Sequence, residues 1–422
     1  MKRTIIIIGG GLSGLSAAYH VSQLDEYQVV ILEQGVAYTE RITNPNCSLL
    51  VGLGGAGTVF GGKLCFPPAS GALWKKTEAR KHSLPSFTRD LLHSCATTLQ
   101  PHFYADDIHD RMNGIEEKQY CSRLLLQDDM HSYVESLIDA VRHRNVEIRC
   151  GCTVQTYLYG IGGKQIVFRN EVGETETLNT DYIIFATGRS SRELIYRCFP
   201  NEIISDMPDL GIRLTLDKKC QQLFSQVGQD VKLKLRDGAY LTRTFCVCTG
   251  GASTKVNLNG MDYYDGHFRS ELTDDVNFGI LSRSIQHSGR YAVDNYLKDM
   301  AKYADQAISL KDFSDQFELL AANTSYASLF AAVARFTNRL YDTGLIGQRK
   351  NEIPVFLPSI DNLCPQVRTT EDFETHTPGV YVVGDAAGIS RGFVQALWTG
   401  KCAADSIREN TYSNRCQKWA FQ

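Results

Sequence analysis

The sequence predicts an α/β fold in which a discontinuous Rossmann-like domain carries an inserted α+β domain. Three observations predict it. A β-branched run, Thr4 to Ile8, enters glycines spaced G-x-G-x-x-G at Gly9, Gly11 and Gly14. A second strand-length run, Gln28 to Leu32, ends in an acid, Glu33, 19 residues after Gly14. Two more apolar runs, Asp181 to Gly188 (DYIIFATG) and Val380 to Val383, lie far along the chain, so one sheet draws strands from both ends.

Composition bounds the rest. Of 422 residues, 43 % are hydrophobic and 22 % charged, ordinary globular usage that leaves room for a large core. Net charge is −3, from 44 basic and 47 acidic residues, with no long run of one sign. That balance lacks the basic footprint of a nucleic-acid or anionic-membrane binder. The longest aliphatic run, Ile5 to Ile8, is far short of the ~20 residues a membrane span needs. Thirteen cysteines, an odd number without regular spacing, fit a reducing compartment, and a cytoplasmic location is expected. The pairs Cys150/Cys152 and Cys246/Cys248 would place both thiols on one face of a strand. Core packing is the plainer reading of each pair, and metal binding or a redox couple the sharper one. No metal site is expected.

Each part of the amino-terminal unit has a physical reason. The run Thr4 to Ile8 has no polar alternation, as suits a parallel strand covered on both faces. Gly9 allows the tight turn, Gly11 lets backbone approach a pyrophosphate, and Gly14 lets the helix pack closely on the strand. Leu12 and Ser13 fill the variable positions, and Leu15, Ala17, Ala18 and Val21 continue at helical spacing. The helix amino terminus offers N–H groups and positive dipole to phosphate. Glu33 is placed to accept hydrogen bonds from ribose hydroxyls. A second glycine segment, residues 52–71 (GLGGAGTVFGGKLCFPPASG), would wrap the pyrophosphate, with Gly55, Gly62, Lys63 and Leu64 approaching the dinucleotide.

Further along, residues 72 to about 120 read as polar and helix-like, and His131 to Arg144 as an amphipathic helix. A strand from Val146 to Val154 and a small hairpin sheet, Gln155 to Thr177, lead to the ATG strand, Ala186-Thr187-Gly188. Alternating strands at Gly211 to Leu216, Val231 to Leu235 and Leu241 to Val247 then give way to helix from Tyr291 to Asp342. The expected division is residues 1–199 and 350–422 for the dinucleotide domain and 200–349 for a substrate or cap domain. No second G-x-G-x-x-G appears, since the glycines at 160–163 read as a hairpin turn. No Cys-x4-Cys active disulfide appears either.

The ATG strand and the segment TPGVYVVGDAAG (Thr377 to Gly388) resemble the second and third nucleotide motifs of two-dinucleotide-binding-domain flavoproteins of the glutathione reductase type. That resemblance implies FAD. It places Gly384 and Asp385 at the ribityl chain or pyrophosphate, and Gly392, Phe393 and Val394 at the start of a helix aimed at the flavin. Val154 joins the same cofactor set. The segments GGAGTVFGGKL, RTFCVCTGG, DGH (Asp265 to His267), NFGIL and VGDAAGISRGFVQA further resemble a family of bacterial FAD-dependent dehydrogenases, itself mostly uncharacterised. Two positions depart from that pattern: Phe60-Gly61 replace Ser-Asp before Gly62-Lys63, and Thr249 replaces Pro before the paired glycines. The resemblance implies an FAD-dependent oxidoreductase, a dehydrogenase, acting on a small organic substrate it does not name.

For the chemistry, His267 is the candidate base, because an ordinary imidazole titrates near working pH. Arg243 and Arg391 are candidates to clamp a carboxylate or the flavin carbonyl. Cys65 could touch the flavin ring or attach to it covalently, though packing is the plainer reading. Tyr263 and Tyr264 are pocket candidates. An NAD(P)H or protein electron partner would have no fingerprint of its own here. The alternatives left open are an O2-using monooxygenase or oxidase and a catalytically silent flavin-binding protein.

Overall fold

The computed structural model describes residues 2–44, 46–58, 62–95, 108–111, 114–118, 122–217, 219, 232–267, 272–322 and 325–420. Five parallel strands form one sheet in the order Val380–Val382, Tyr182–Phe185, Arg3–Ile8, Tyr27–Leu32, Glu147–Arg149. Ile5, Ile6 and Ile7 are wholly buried, as befits a central strand covered on both faces. The helix Leu12–Val21 carries the chain from the first strand to the second. It lies against the carboxy-terminal helix Phe393–Ala420, and Gly400 makes the close crossing. A Cβ at Gly400 would fall 2.2 Å from the Ser13 carbonyl oxygen. Ser16 Oγ donates to the Leu397 carbonyl at 2.7 Å and fixes the same crossing. The two ends of the sequence therefore share one core.

A three-stranded antiparallel sheet, Thr153–Gly160, Gly163–Arg169 and Thr175–Thr180, flanks this layer, and Gly160 pairs with Gly163 at its hairpin turn.

The second large sheet has eight antiparallel strands in the order Ile308–Ser309, Pro354–Asp361, Asp209–Leu216, Val276–Arg283, Tyr240–Thr249, Lys232–Asp237, Ile115–Lys118, Ile108–Arg111. Its apolar face (Leu210, Ile212, Leu214, Phe278, Ile280) packs on the helices Ala292–Met300 and Ala327–Asp342 through Val293, Phe330, Val333 and Phe336. Two segments differ from the sequence expectation. Pro354–Asp361 was expected to re-enter the dinucleotide domain beyond residue 350, yet it pairs with Asp209–Leu216 and closes an otherwise open edge. Ile108–Arg111 and Ile115–Lys118 fall in a stretch expected to be helix-like and extend the far edge instead, with Ile115 buried. Among the described residues no helix is long and apolar enough to cross a membrane.

Candidate dinucleotide and redox site

A cavity of about 880 Å³ opens at the carboxyl ends of the parallel strands, where such sheets bind ligands. One end is built by the two glycine segments, which pack directly on each other. Gly54 N donates to the Gly10 carbonyl at 2.8 Å, and a Cβ on Gly55 would lie 2.8 Å from Gly11 Cα. Gly9, at φ +103°, leaves no room for a side chain, since a Cβ would meet the Ala186 carbonyl oxygen at 2.4 Å. Gly14 lies behind the cavity wall, where a Cβ would fall 2.0 Å from the Gly9 carbonyl oxygen. Gly11 is the residue before the helix and gives it no side-chain cap. That arrangement leaves a ligand to satisfy the first helical N–H groups.

Glu33 does more than the sequence expects of it. Its carboxylate accepts from Gly10 N at 2.7 Å on one oxygen, and from Gly35 N at 2.8 Å and Gly52 N at 3.0 Å on the other. It thus ties the first turn, the end of the second strand and the second glycine segment together. Arg41, also buried, completes the tie by donating to the carbonyls of Gly52 at 2.8 Å and Leu49 at 3.0 Å. Burial brings the Arg41 guanidinium down to about 10, against the pull of Glu33. Sequence reasoning did not find Arg41, whose partners are all backbone.

The other end of the cavity is lined by charge. Asp265, on the strand Met261–His267, lies 3.1 Å from Arg189, 3.2 Å from Arg391 and 3.7 Å from Arg213. Burial opposes its ionisation, but Arg391, Arg189 and Arg213 outweigh that and hold the carboxyl below the usual range. Arg189 also reaches Asp385 at 3.4 Å, and burial still raises the Asp385 carboxyl. Arg243 donates to Asp209 at 2.5 Å and to Asp361 at 2.7 Å, Arg391 pairs with Asp361, and Arg283 holds Asp209 at 2.8 Å. Arg391 stacks over the Phe245 ring with its guanidinium carbon 4.3 Å from the centroid. Burial, then Arg189, brings Arg391 down to about 10.

Most of the expected residues meet in this cavity. Gly9, Gly11, Leu12, Ser13, Glu33, Gly55, Lys63, Val154, Ala186, Thr187, Gly188, Asp385, Gly392 and Phe393 line it, with Arg243 and Arg391. Leu64 and Val394 are fully buried and pack behind the wall, as do Gly62 and Gly384. Lys63, expected at a phosphate, donates from Nζ to the Val247 carbonyl. Cys65 lines the cavity and its carbonyl accepts from Gln395 Nε2 at 2.9 Å. His267 does not line it: the imidazole is buried two residues beyond Asp265, opposite Ala252, where the strand has left the cavity. Tyr263 meets Arg189 at 3.4 Å, whereas Tyr264 donates to the Ala304 carbonyl at 2.9 Å, outside the cavity. Phe60 and Gly61, where the sequence departs from the resemblance, lie outside the described residues. The sequence reading missed Arg189, Asp265, Asp361, Arg213 and Asp209 as site residues. Arg189 had a local signal, directly after Gly188, and Asp265 opens the DGH segment.

The family model for pyridine nucleotide-disulphide oxidoreductases matches residues 3–251, more than half of the chain. The chain belongs to that family. This member is an FAD-dependent oxidoreductase, and its α/β architecture is that of the FAD-binding Rossmann type. No curated protein matches the sequence. Among solved structures, a geranylgeranyl bacteriochlorophyll reductase-like protein from Thermoplasma acidophilum is 13 % identical, with 98 % of this chain and 80 % of that one covered and a TM-score of 0.44. CtdE in complex with FAD is 15 % identical, with 96 % of this chain and 84 % of that one covered and a TM-score of 0.39. CabE, an aromatic hydroxylase from angucycline biosynthesis, is 13 % identical, with 97 % and 63 % covered and a TM-score of 0.40.

The residues present fit FAD. A carboxylate has roughly four acceptor positions, and Glu33 uses three on backbone, leaving one toward the cavity for a ribose hydroxyl. The glycine-walled end admits a pyrophosphate at the uncapped helix, a cradle that side chains at Gly9 or Gly55 would obstruct.

Proposed function

We propose that this oxidoreductase is a dehydrogenase that moves hydride between a small organic substrate and the flavin N5. The observation that carries the reading is that one cavity joins the dinucleotide cradle to the buried cluster of Arg189, Asp265, Arg391 and Asp361. The flavin supplies the two-electron chemistry when bound. The protein binds and orients. The N–H groups of Leu12 and Ser13 and the helix dipole take the pyrophosphate, Glu33 takes the ribose, and Asp385 the ribityl chain. Phe393 begins the carboxy-terminal helix directly after Gly392, and its positive end, with Arg391 before it, favours negative charge developing on reduction. Asp265, held ionised, acts as a positioning residue: it fixes the guanidinium planes of Arg189 and Arg391. Arg391 keeps a donor edge for an anionic or carbonyl oxygen of the substrate. The parallel sheet and its flanking elements form the FAD-binding part, and the eight-stranded sheet, including Pro354–Asp361, forms the cap over it. Ten described cysteines are free, which supports a reducing, cytoplasmic setting.

Anaerobic bleaching of the bound flavin against a metabolite library, with NADH and NADPH included, tests the reading. Bleaching by an organic metabolite is expected, with slow single-phase reoxidation on mixing the reduced enzyme with air-saturated buffer. A fast transient absorbance before reoxidation would replace the dehydrogenase with a monooxygenase. Reduction by dithionite alone would make the protein a silent flavin binder.

A further inference from the structure

The strand Lys232–Asp237 divides its two faces by charge. Leu233 and Leu235 are buried in the apolar core, so Lys232 and Lys234 fall on the other face, and both line the cavity. The neighbouring strands repeat the choice. Lys118 lies directly opposite Lys232 on one side and Arg243 directly opposite Lys234 on the other, and these two line the cavity as well. Two like-charged cross-strand pairs therefore stand side by side in one wall. Like charges directly opposite each other destabilise a sheet, and burial disfavours each charge further. The strain shows at Lys234, whose ammonium is held below its ordinary value by burial first and by Lys118 next, with Arg243 and Arg236 adding to it. Glu116, opposite Lys234 on the outer strand, offsets part of this charge but does not line the cavity. Arg243 is neutralised by Asp209 and Asp361. What the wall presents to the cavity is a strip of three lysines.

The strip lies on a different sheet from the glycine cradle. Lys118 Nζ is 3.5 Å from where a Cβ on Gly71 would stand, and the adjacent Ser70 Oγ donates to the Arg391 carbonyl at 3.5 Å. From its other end, Lys234 neighbours Arg243, which shares Asp361 with Arg391. Both routes lead to Arg391 and the charged end of the cavity.

We propose that Lys118, Lys232 and Lys234 form an anion-binding wall of the substrate pocket, and that the organic substrate carries two or more negative charges, as carboxylate or phosphate groups, that seat on it. The word substrate rests on the dehydrogenase reading; the anion site rests on the wall alone. Each ammonium has three N–H donors, and those donors make charge-assisted hydrogen bonds to carboxylate or phosphate oxygens. A polyanion bridging the strip also relieves the opposition of Lys118 and Lys232. A neutral molecule does neither, so charge becomes the basis of selection.

The test titrates the holoenzyme, its dinucleotide cradle filled by FAD, with citrate and separately with inorganic pyrophosphate, by isothermal calorimetry at low salt. Acetate is the singly charged comparison. At least one polyanion is expected to bind once per chain and more tightly than acetate, and the tighter of the two names the carboxylate or the phosphate class. Lys232→Gln should weaken that binding about tenfold, the scale of one charge-assisted hydrogen bond, and adding Lys234→Gln about tenfold more. Arg236→Gln, which removes an exposed cation of the same strand outside the cavity, should bind as wild type does. No saturable binding of either polyanion to the wild-type holoenzyme, or an equal loss with Arg236→Gln, would overturn the wall. Displacement of the probe by NADPH and by no organic acid would overturn the substrate assignment. In the bleaching test, reduction by neutral metabolites alone would refute this inference and keep the dehydrogenase. Polyanion binding without bleaching by any metabolite would keep the wall and refute the dehydrogenase.

Discussion

Replacing Glu33 by Gln separates two jobs that the sequence alone would merge. If Glu33 served only a ribose, the change would weaken FAD and leave the empty protein as stable as before. The structure says otherwise, because both carboxylate oxygens already accept from buried backbone, one bond from Gly10 and two from Gly35 and Gly52. Glutamine has one acceptor oxygen and an NH2 group that cannot accept. In the arrangement that keeps most bonds, the oxygen holds Gly35 and Gly52, and the NH2 group confronts the Gly10 N–H. A hydrogen bond to a charged group contributes about 1.5–3 kcal/mol and a neutral one about 1 kcal/mol. One charged bond is lost with its donor left orphaned, and two fall to neutral strength. The sum is about 4 kcal/mol, close to a thousandfold in the folding equilibrium. Urea unfolding of flavin-free wild-type and Glu33→Gln protein, at equal pH and salt, measures it. A loss below about 1 kcal/mol in the flavin-free protein, with flavin affinity alone reduced, would refute the tying role.

Two further outcomes follow from the geometry. Gly14→Ala puts a Cβ 2.0 Å from the Gly9 carbonyl oxygen, backbone against backbone, so the first turn must shift. The purified variant should carry less flavin by its flavin-to-protein absorbance ratio, and full retention would contradict the cradle. The acid limb of stability should report Asp209 and Asp265, both held below the ordinary carboxylate range. For Asp209 burial pushes upward, but Arg243 and Arg283 prevail. An acid with a depressed folded pKa binds fewer protons folded than unfolded. Its contribution is therefore present above the unfolded value of about 4 and lost as pH falls below it. Asp209→Asn should cost about 3 kcal/mol at neutral pH, since it takes from Arg283, a third exposed, the carboxylate it pairs with and leaves Arg243 with Asp361, and should flatten the decline in stability below pH ~4. An unchanged acid limb would count against this pairing.

What could be read from the sequence was local. Gly9, Gly11 and Gly14 announce themselves because their spacing fills only six residues, although the atom that excludes a side chain is near in sequence only for Gly14, against Gly9, and comes from Ala186 for Gly9. The strands Arg3–Ile8 and Tyr27–Leu32 are legible because burial on both faces leaves each an unbroken apolar run, Ile5 to Ile8 and Val29 to Leu32. Pro354–Asp361 was misplaced because its apolar pattern says that it is a strand and not which sheet it joins. That choice was made by the open edge of Asp209–Leu216, about 140 residues earlier in the chain.

The charge cluster was illegible on different grounds. Asp265 takes its arginines from positions 189, 213 and 391, on separate elements that meet only when the eight-stranded sheet closes over the parallel one. With 44 basic and 47 acidic residues in the chain, no spacing rule selects these four. What selects them is desolvation: a carboxylate buried as deeply as Asp265 is tolerable only with cations at hand, and each arginine is tolerable only with a carboxylate. The preference for His267 came from its intrinsic pKa, a property of the residue type. The residues that occupy the cavity are distinguished instead by the company that burial forces them to keep. The lysine wall shows both rules together, because the alternation along Val231 to Leu235 was visible in the sequence while the register that sets Lys118 opposite Lys232 depends on Ile115–Lys118, a strand in a stretch that reads as helix-like.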